Sequence, residues 1–191
     1  SAVSYKQIGY WKDSISVFSH AAAVTKNNYI ALNNLGTALA RKGRTDEAIA
    51  SYSSAIRANP YFSKAYNNLG NALWRQGKLL PAKEVFEKAL WIDPSYALAH
   101  NNYGLLLSQL HKTDEAIKHF RQALAIDPNL LMAHFNLGNI MAERGELESA
   151  AEHLEETLRL DPSFSLTYPI LEKVYYQRKD YPNALRITEL A

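Results

Sequence analysis

Asn33-Asn34-Leu35-Gly36 returns three times, as Asn67-Asn68-Leu69-Gly70, as Asn101-Asn102-Tyr103-Gly104 and as Phe135-Asn136-Leu137-Gly138. The step is 34 residues each time (33 to 67, 67 to 101, 101 to 135). The sequence around these stretches keeps the same step. Ala48, Ala82, Ala116 and Ala150 are in register, as are Tyr52, Phe86, Phe120 and Leu154. So are Ala55, Ala89 and Ala123, and the prolines Pro60, Pro94, Pro128 and Pro162. A fixed period in this range is the mark of a stacked array, in which one unit cannot bury its apolar face alone and each copy packs on its neighbours.

Each period reads as two helices. In the first full copy, Ile30 to Lys42 forms helix A, with Leu32, Leu35 and Leu39 on one side at helical spacing. Gly43 ends it in a residue that tolerates positive φ. Thr45 and Asp46 are N-cap types for helix B, which carries Ala48, Ile49, Tyr52, Ala55 and Ile56 up to Asn59-Pro60. A proline disfavours helix in the residue before it, so the chain turns there. His111 stands where the other copies have the turn glycine, and histidine is among the residues that tolerate positive φ, so the turn is expected to survive. Pro81 falls in the first turn of a helix B, where its missing N–H costs little. Asp93-Pro94 closes the second copy, and Ser95 is expected to cap the helix that follows.

The array divides as a partial repeat over 1–28, full repeats over 29–62, 63–96, 97–130 and 131–164, and a divergent partial repeat over 165–191. In the first segment Tyr5, Gly9, Phe18 and Ala21 keep step with Leu39, Gly43, Tyr52 and Ala55, and Asp13 to Val24 reads as a helix B. In the last segment Ile170 replaces the recurring Asn and Glu172 the recurring Gly, while Tyr168, Leu171, Tyr175, Ala184 and Leu185 keep the pattern. Thr157 takes the place of the third alanine in the fourth copy. A chain that starts and stops inside a repeat is expected to come from something longer.

Gly36, Gly70, Gly104 and Gly138 sit inside a helix, where each costs about 1 kcal/mol relative to alanine. A cost repeated four times implies that something needs the space. The expectation is close approach of helix B of the same repeat, with Ala48 and its copies opposite the glycine and Tyr52, Phe86 and Phe120 filling the gap toward the next repeat.

Composition narrows the function. The chain has 191 residues, 21 basic and 19 acidic side chains and a formal net charge of +2, which gives no electrostatic case for nucleic acid or an anionic membrane surface. There are no cysteines, so disulfides, thiol catalysis and cysteine-ligated zinc are excluded. No apolar run approaches the roughly 20 residues that cross a bilayer, so no direct membrane insertion is expected, and no compartment is named. His100 and His134 are in register, as are His119 and His153; the repeat itself explains both pairs, and no metal and no cofactor is expected. Acidic side chains are scattered with no His or Ser partner, so no catalytic set is expected and the segment is read as a non-enzyme.

The pattern Leu35-Gly36, Leu39, Ala48, Tyr52, Ala55, Pro60 at this period resembles the tetratricopeptide repeat. The resemblance implies an all-α solenoid of antiparallel helix pairs wound into a right-handed superhelix, with the A helices lining a concave groove. In that family the inner face comes mainly from the second, fifth, sixth, ninth, twelfth and thirteenth places of each repeat. Carried over residue by residue, the implied peptide-binding positions are Asn34, Asn68, Asn102 and Asn136 at the sixth place. Asn33, Asn67 and Asn101 stand at the fifth place, Asn71 and Asn139 at the ninth, Trp74 at the twelfth, and Arg41 and Arg75 at the thirteenth. The carboxylate clamp of chaperone adaptors has a Lys at the fifth place of its first repeat; here Asn33, Asn67, Asn101 and Phe135 stand there, so the match to that clamp is poor.

An amide side chain offers donors and an acceptor together, matching the N–H and C=O of a peptide backbone. A row of asparagines could hold an extended chain without reading its sequence, and this row resembles the asparagine ladder in the repeat domain of O-linked N-acetylglucosamine transferases. The alternative is that each asparagine bonds a neighbouring A helix and touches no ligand. The leading expectation is a module that binds an extended peptide or protein segment. A second is the non-catalytic part of a larger enzyme, since Gly9-Tyr10-Trp11-Lys12-Asp13-Ser14-Ile15 through Phe18 resembles the first repeat after the membrane region in multispanning glycosyltransferase-like proteins. A third is end-to-end homo-oligomerisation through Leu185, Ile187 and Leu190 of the last helix.

Overall fold

The computed structural model describes residues 13–190. Tyr5, Gly9 and the stretch Gly9 to Lys12 lie outside the described residues. Among the described residues there are eleven helices and no strand. The chain divides into two compact units, residues 1–95 and 96–191.

In the first unit, α1 (Ser14–Val24) packs on α2 (Tyr29–Arg41), and α2 pairs with α3 (Thr45–Ala58). Next, α4 (Ser63–Arg75) pairs with α5 (Leu79–Ile92), and the pairs join through α3 on α4 and α2 on α4. Leu39, Ala48, Tyr52 and Ala72 form the buried centre, with Ile15, Leu35, Ile49 and Leu69 packed around it. In the second unit the pairs are α6 (Ala97–Gln109) with α7 (Thr113–Ile126), α8 (Leu131–Glu143) with α9 (Leu147–Leu160), and α10 (Thr167–Gln177) with α11 (Tyr181–Leu190). They join through α7 on α8 and α9 on α10. The adjacent antiparallel pairs expected from the period are present.

The glycines do make close approach possible, but the nearest side chain opposite each one belongs to the Tyr52 register and not to the alanine; only at Gly138 does the alanine, through the Ala150 carbonyl at 3.3 Å, also come close. A Cβ on Gly36 would lie 2.6 Å from Tyr52 Cε1; on Gly70 it would meet Phe86 Cε1 at 2.8 Å, and on Gly104 Phe120 Cε1 at 2.7 Å. On Gly138 it would meet Leu154 Cγ at 2.8 Å. The aromatic of helix B therefore lies over the glycine of its own pair, and Tyr52 also packs toward Ala72 and Leu69 of the next repeat, as expected. A flat ring needs a surface without a Cβ, and only glycine supplies one. Ala48, Ala82, Ala116 and Ala150 are fully buried beside this contact. Thr157, in register with Ala55, Ala89 and Ala123, is also fully buried, and its hydroxyl donates to the His153 carbonyl one turn back at 2.9 Å.

The last pair replaces both members of this contact at once. Glu172 stands for the glycine and Thr188 for the ring, and the Thr188 hydroxyl donates to Glu172 Oε1 at 3.1 Å. A small β-branched residue leaves room for the longer side chain that a ring would have excluded.

Between helices A and B the chain uses one left-handed residue at a fixed register. Gly43, Gly77 and Gly145 have φ of 75°, 74° and 75°; His111 and Lys179, at the same step, have φ of 59° and 60°. The His111 turn survives as expected.

Between helix B and the next helix A, an aspartate or asparagine before proline folds its side chain over the turn. Asn59 Oδ1 accepts from the Tyr61 N–H at 3.0 Å, and Asp93 from Ser95, Asp127 from Asn129 and Asp161 from Ser163 at 3.1, 3.1 and 2.9 Å. This is the Asx-turn preference of short acidic and amide side chains. Ser95 is thus engaged with Asp93, and Tyr96 occupies the cap position of α6 instead. Thr45 and Asp46 likewise lie inside the first turn of α3, capped by Arg44 with no side-chain cap bond. Asp46 and Glu47 there face the positive end of the helix dipole. Asp13, by contrast, caps α1 and accepts from the Ser16 N–H at 2.8 Å.

A further link joins successive pairs at their edge. Gln76 Nε2 donates to Asp46 Oδ1 at 2.6 Å, Arg144 Nη1 to Asp114 Oδ1 at 2.7 Å, and Arg178 Nε lies 3.4 Å from Glu148 Oε1. Among the described residues, no helix is long and apolar enough to cross a membrane.

Candidate functional site

The A helices position the asparagines, and within each unit these side chains meet. Asn33, Asn67, Asn101 and Asn136 are buried; Asn34, Asn68 and Asn102 are half-buried. In the first unit Asn68 on α4 donates its Nδ2 to Asn33 Oδ1 on α2 at 2.9 Å, and Asn67 donates to Asn68 Oδ1 at 3.3 Å. In the second unit Asn136 on α8 donates to Asn101 Oδ1 on α6 at 2.9 Å, and Asn101 donates to Asn102 Oδ1 at 3.3 Å. The sixth-place amide of one repeat is therefore tied to the fifth-place amide of the repeat before it. Asparagine is a poor mid-helix residue. The tie gives a physical reason for its recurrence that involves no ligand, because a buried amide without a partner would be costly. Each carboxamide has two N–H groups and two lone pairs, so one tie does not exhaust it.

Two cavities open along the A-helix face of the first unit. One, of about 490 Å³, runs between α1 and α2 and is lined by Asn34, Thr37, Arg41 and Lys42 on one side and by Asp13, Ile15 and Phe18 on the other. The second, of about 230 Å³, lies between α2 and α4 and is lined by Asn68, Asn71 and Arg75 together with Thr37 and Arg41. Thr37 and Arg41 belong to both, so the two adjoin. Arg41 and Arg75 are exposed at the rim, and Asn71 is half-buried. Trp74 is half-buried and lines neither of these two cavities. Asn139, on α8, donates to Glu143 Oε1 at 3.1 Å.

Tyr52 forms the floor of the second cavity, its ring against Gly36 and its hydroxyl toward Thr37 Oγ1 at 3.4 Å. Burial pushes its phenol above the usual range, while the Thr37 hydrogen bond and the charges of Arg75 and Arg41 pull it back. The sequence treated Tyr52 only as core. The signal available was that its in-register copies, Phe86, Phe120 and Leu154, lack the hydroxyl.

The histidines in register are brought together within each pair. His100 Nδ1 and His119 Nδ1 are 2.9 Å apart, and His134 Nδ1 and His153 Nδ1 are 3.0 Å apart. His134 Nε2 lies 3.0 Å from the Pro128 carbonyl. A carbonyl only accepts, so that nitrogen carries the proton and His134 Nδ1 accepts from His153 Nδ1–H when both rings are neutral. Burial, together with the neighbouring charges of His134 and Arg121, holds His153 below the usual imidazole range, with Glu152 acting the other way. Among the described residues no group of three or more His, Cys, Asp or Glu side chains could hold a metal ion.

Stacked helix hairpins with a glycine under each ring and a left-handed residue between helices define a helical-repeat protein. A model described as tetratricopeptide repeat matches residues 61–129 and again 95–163, and a second, described as TPR repeat, matches 36–77. The chain belongs to the tetratricopeptide repeat family, whose members generally mediate protein–protein interaction and are mostly non-catalytic scaffolds. Among solved structures it is similar to YrrB, described as a TPR protein with an unusual peptide-binding site: 22% identical, TM-score 0.68, covering 91% of this chain and 89% of that one. It is also similar to pilF of Pseudomonas aeruginosa, 24% identical with a TM-score of 0.79 over 85% of this chain and 74% of that one. For MamA the figures are 23%, 0.70, 85% and 88%. At these identities the likeness speaks for the fold alone. No curated protein matches the sequence.

Proposed function

We propose that this chain is a protein-interaction module that holds an extended peptide segment against its A-helix face, gripping the backbone through asparagine amides. The observation that carries this reading is the pair of adjoining cavities in the first unit, in which Asn34, Asn68 and Asn71 line a concave surface bordered by arginines. The amides of Asn34 and Asn71 have no hydrogen-bond partner among the described residues and can offer a donor and an acceptor to a passing peptide group. Asn68 divides its capacity between the tie to Asn33 and the cavity. In the second unit Asn102 and Asn136 stand at the same places. This matches what the resemblance to the glycosyltransferase asparagine ladder implies. YrrB, a protein of similar fold described as having a peptide-binding site, lends support by analogy.

The test is binding to an array of neutral, unstructured peptides, comparing the native chain with the Asn34→Ala/Asn71→Ala double variant. These two positions are chosen because neither ties one helix to another, so the variant folds. Binding spread over many sequences, and reduced at least about tenfold in the variant, is the expected result, since two backbone hydrogen bonds are lost. Equal binding by the two proteins would remove the amides from recognition.

A further inference from the structure

The second cavity of the first unit has a feature the backbone-gripping reading does not use. Two guanidinium groups, Arg41 and Arg75, stand at its rim, and its lining contains no carboxylate. Arg44, Arg144, Arg159, Arg178 and Arg186 all sit in ion pairs. Arg41 and Arg75, like Arg57 and Arg121, form no ion pair among the described residues. Arg41 and Arg75 lie in the last turn of an A helix, where a cation is favoured by the helix dipole, and that alone would account for their placement. It does not account for the floor. Tyr52 is 3% exposed, and among the described residues its hydroxyl has one partner, Thr37, to which it donates at a long 3.4 Å. The Thr37 hydroxyl itself donates to the Asn33 carbonyl at 3.1 Å. The phenol's one bond is a long donation to Thr37, and it lies beneath two guanidiniums that form no ion pair among the described residues, so the cavity presents donors that a stronger acceptor can recruit. The corresponding floor residues elsewhere are Phe86, Phe120 and Leu154, and the corresponding rim residues are Gln109 and Glu143, so the combination belongs to this cavity.

We infer that this cavity takes the carboxylate of an acidic side chain, Glu or Asp, projecting from an extended peptide held on the same face, with Arg41 and Arg75 pairing its oxygens and Tyr52 donating from below. Guanidinium forks suit a planar carboxylate and form hydrogen bonds about twice as strong as neutral ones. This rests on the peptide-holding reading and gives it a sequence preference: a peptide with an acidic residue in register with α2 and α4.

The test uses three fluorescent 12-residue peptides of Gly, Ser and Ala that differ only at a central Glu, Gln or phosphoserine, titrated by anisotropy into the native chain. The Glu peptide is expected to bind about tenfold more tightly than the Gln peptide, the worth of one charge-assisted hydrogen bond. That preference should vanish in Arg41→Gln/Arg75→Gln and shrink in Tyr52→Phe, a variant that keeps the ring its in-register neighbours already carry. Equal affinity for Glu and Gln overturns the inference and leaves the neutral-backbone reading standing. A preference that survives the arginine changes also overturns it, as does tight binding of the phosphoserine peptide alone. If no peptide binds, both readings fall together.

Discussion

Asn136 donates its side-chain amide to Asn101 across 2.9 Å, both residues being buried, and Asn68 does the same to Asn33 at the same distance. An inter-repeat bond of this kind acts on stability before any ligand arrives. Asn136→Ala removes the donor and leaves a buried acceptor, so it should cost about 1–3 kcal/mol in denaturant unfolding. Asn34→Ala, which breaks no interhelical bond among the described residues, should stay within about 0.5 kcal/mol of native. Equal effects at the two positions would mean the tie contributes nothing.

The glycine contact inverts an ordinary rule. Glycine to alanine inside a helix usually gains up to about 1 kcal/mol. At Gly104 the new methyl would lie 2.7 Å from the Phe120 ring, which is itself fully buried and has nowhere to go. Gly104→Ala should therefore destabilise by about 1–3 kcal/mol, the usual range for overpacking. In a Phe120→Ala background the same change should become neutral or stabilising. Urea unfolding of the four proteins of this cycle reads the reversal directly, and additivity would rule out the ring as the cause.

The period made most of the fold legible, because Gly36, Tyr52, Pro60 and their copies must occupy equivalent environments. It even carried the His111 turn. What it could not carry was the partner of each residue. Register says that Gly36 and Tyr52 recur together, but not that the ring lies on the glycine, since contact depends on how two helix faces meet. The same gap affects the site. Asn34 and Asn68 occupy one place in the repeat, yet Asn68 bonds Asn33 on the A helix before it, whereas Asn34 has no interhelical bond among the described residues. The Asp-Pro turns were readable as turns, but the bonds that Ser95 donates back to Asp93 displaced the cap that Ser95 by itself suggested.

His153 gives the second unit a pH dependence of definite sign. Its folded-state pKa lies below the usual value of 6.5 because burial disfavours the charged ring, with His134 on α8 and Arg121 on α7 acting the same way and Glu152 on its own helix against them. The unfolded chain then binds more protons than the folded one between the two pKa values, so stability rises with pH across that window. The contribution is fully present above pH 6.5 and is lost as pH falls through the folded pKa. Thermal melts from pH 7.5 to 5.0 should show a declining midpoint, with a shallower decline in His153→Leu. A slope unchanged by that substitution would place the titration elsewhere.

His111 has φ of 59° at a position where Gly43, Gly77 and Gly145 have φ near 75°. A non-glycine residue pays about 1–2 kcal/mol to be left-handed, and glycine gives back roughly 0.5–1 kcal/mol through its freer unfolded chain. The side chain of His111 is exposed, so little packing is lost with it. His111→Gly should therefore stabilise the chain by up to about 1 kcal/mol. Gly145→Ala runs the comparison backwards: nothing lies within 4 Å of the added methyl, so only the backbone can object. It should lose stability through φ alone, by about the 1–2 kcal/mol that left-handedness costs. Denaturant unfolding of both variants separates backbone strain from contact. A stabilised Gly145→Ala would mean that the turn can relax out of the left-handed region, in which case His111 carries no strain to relieve.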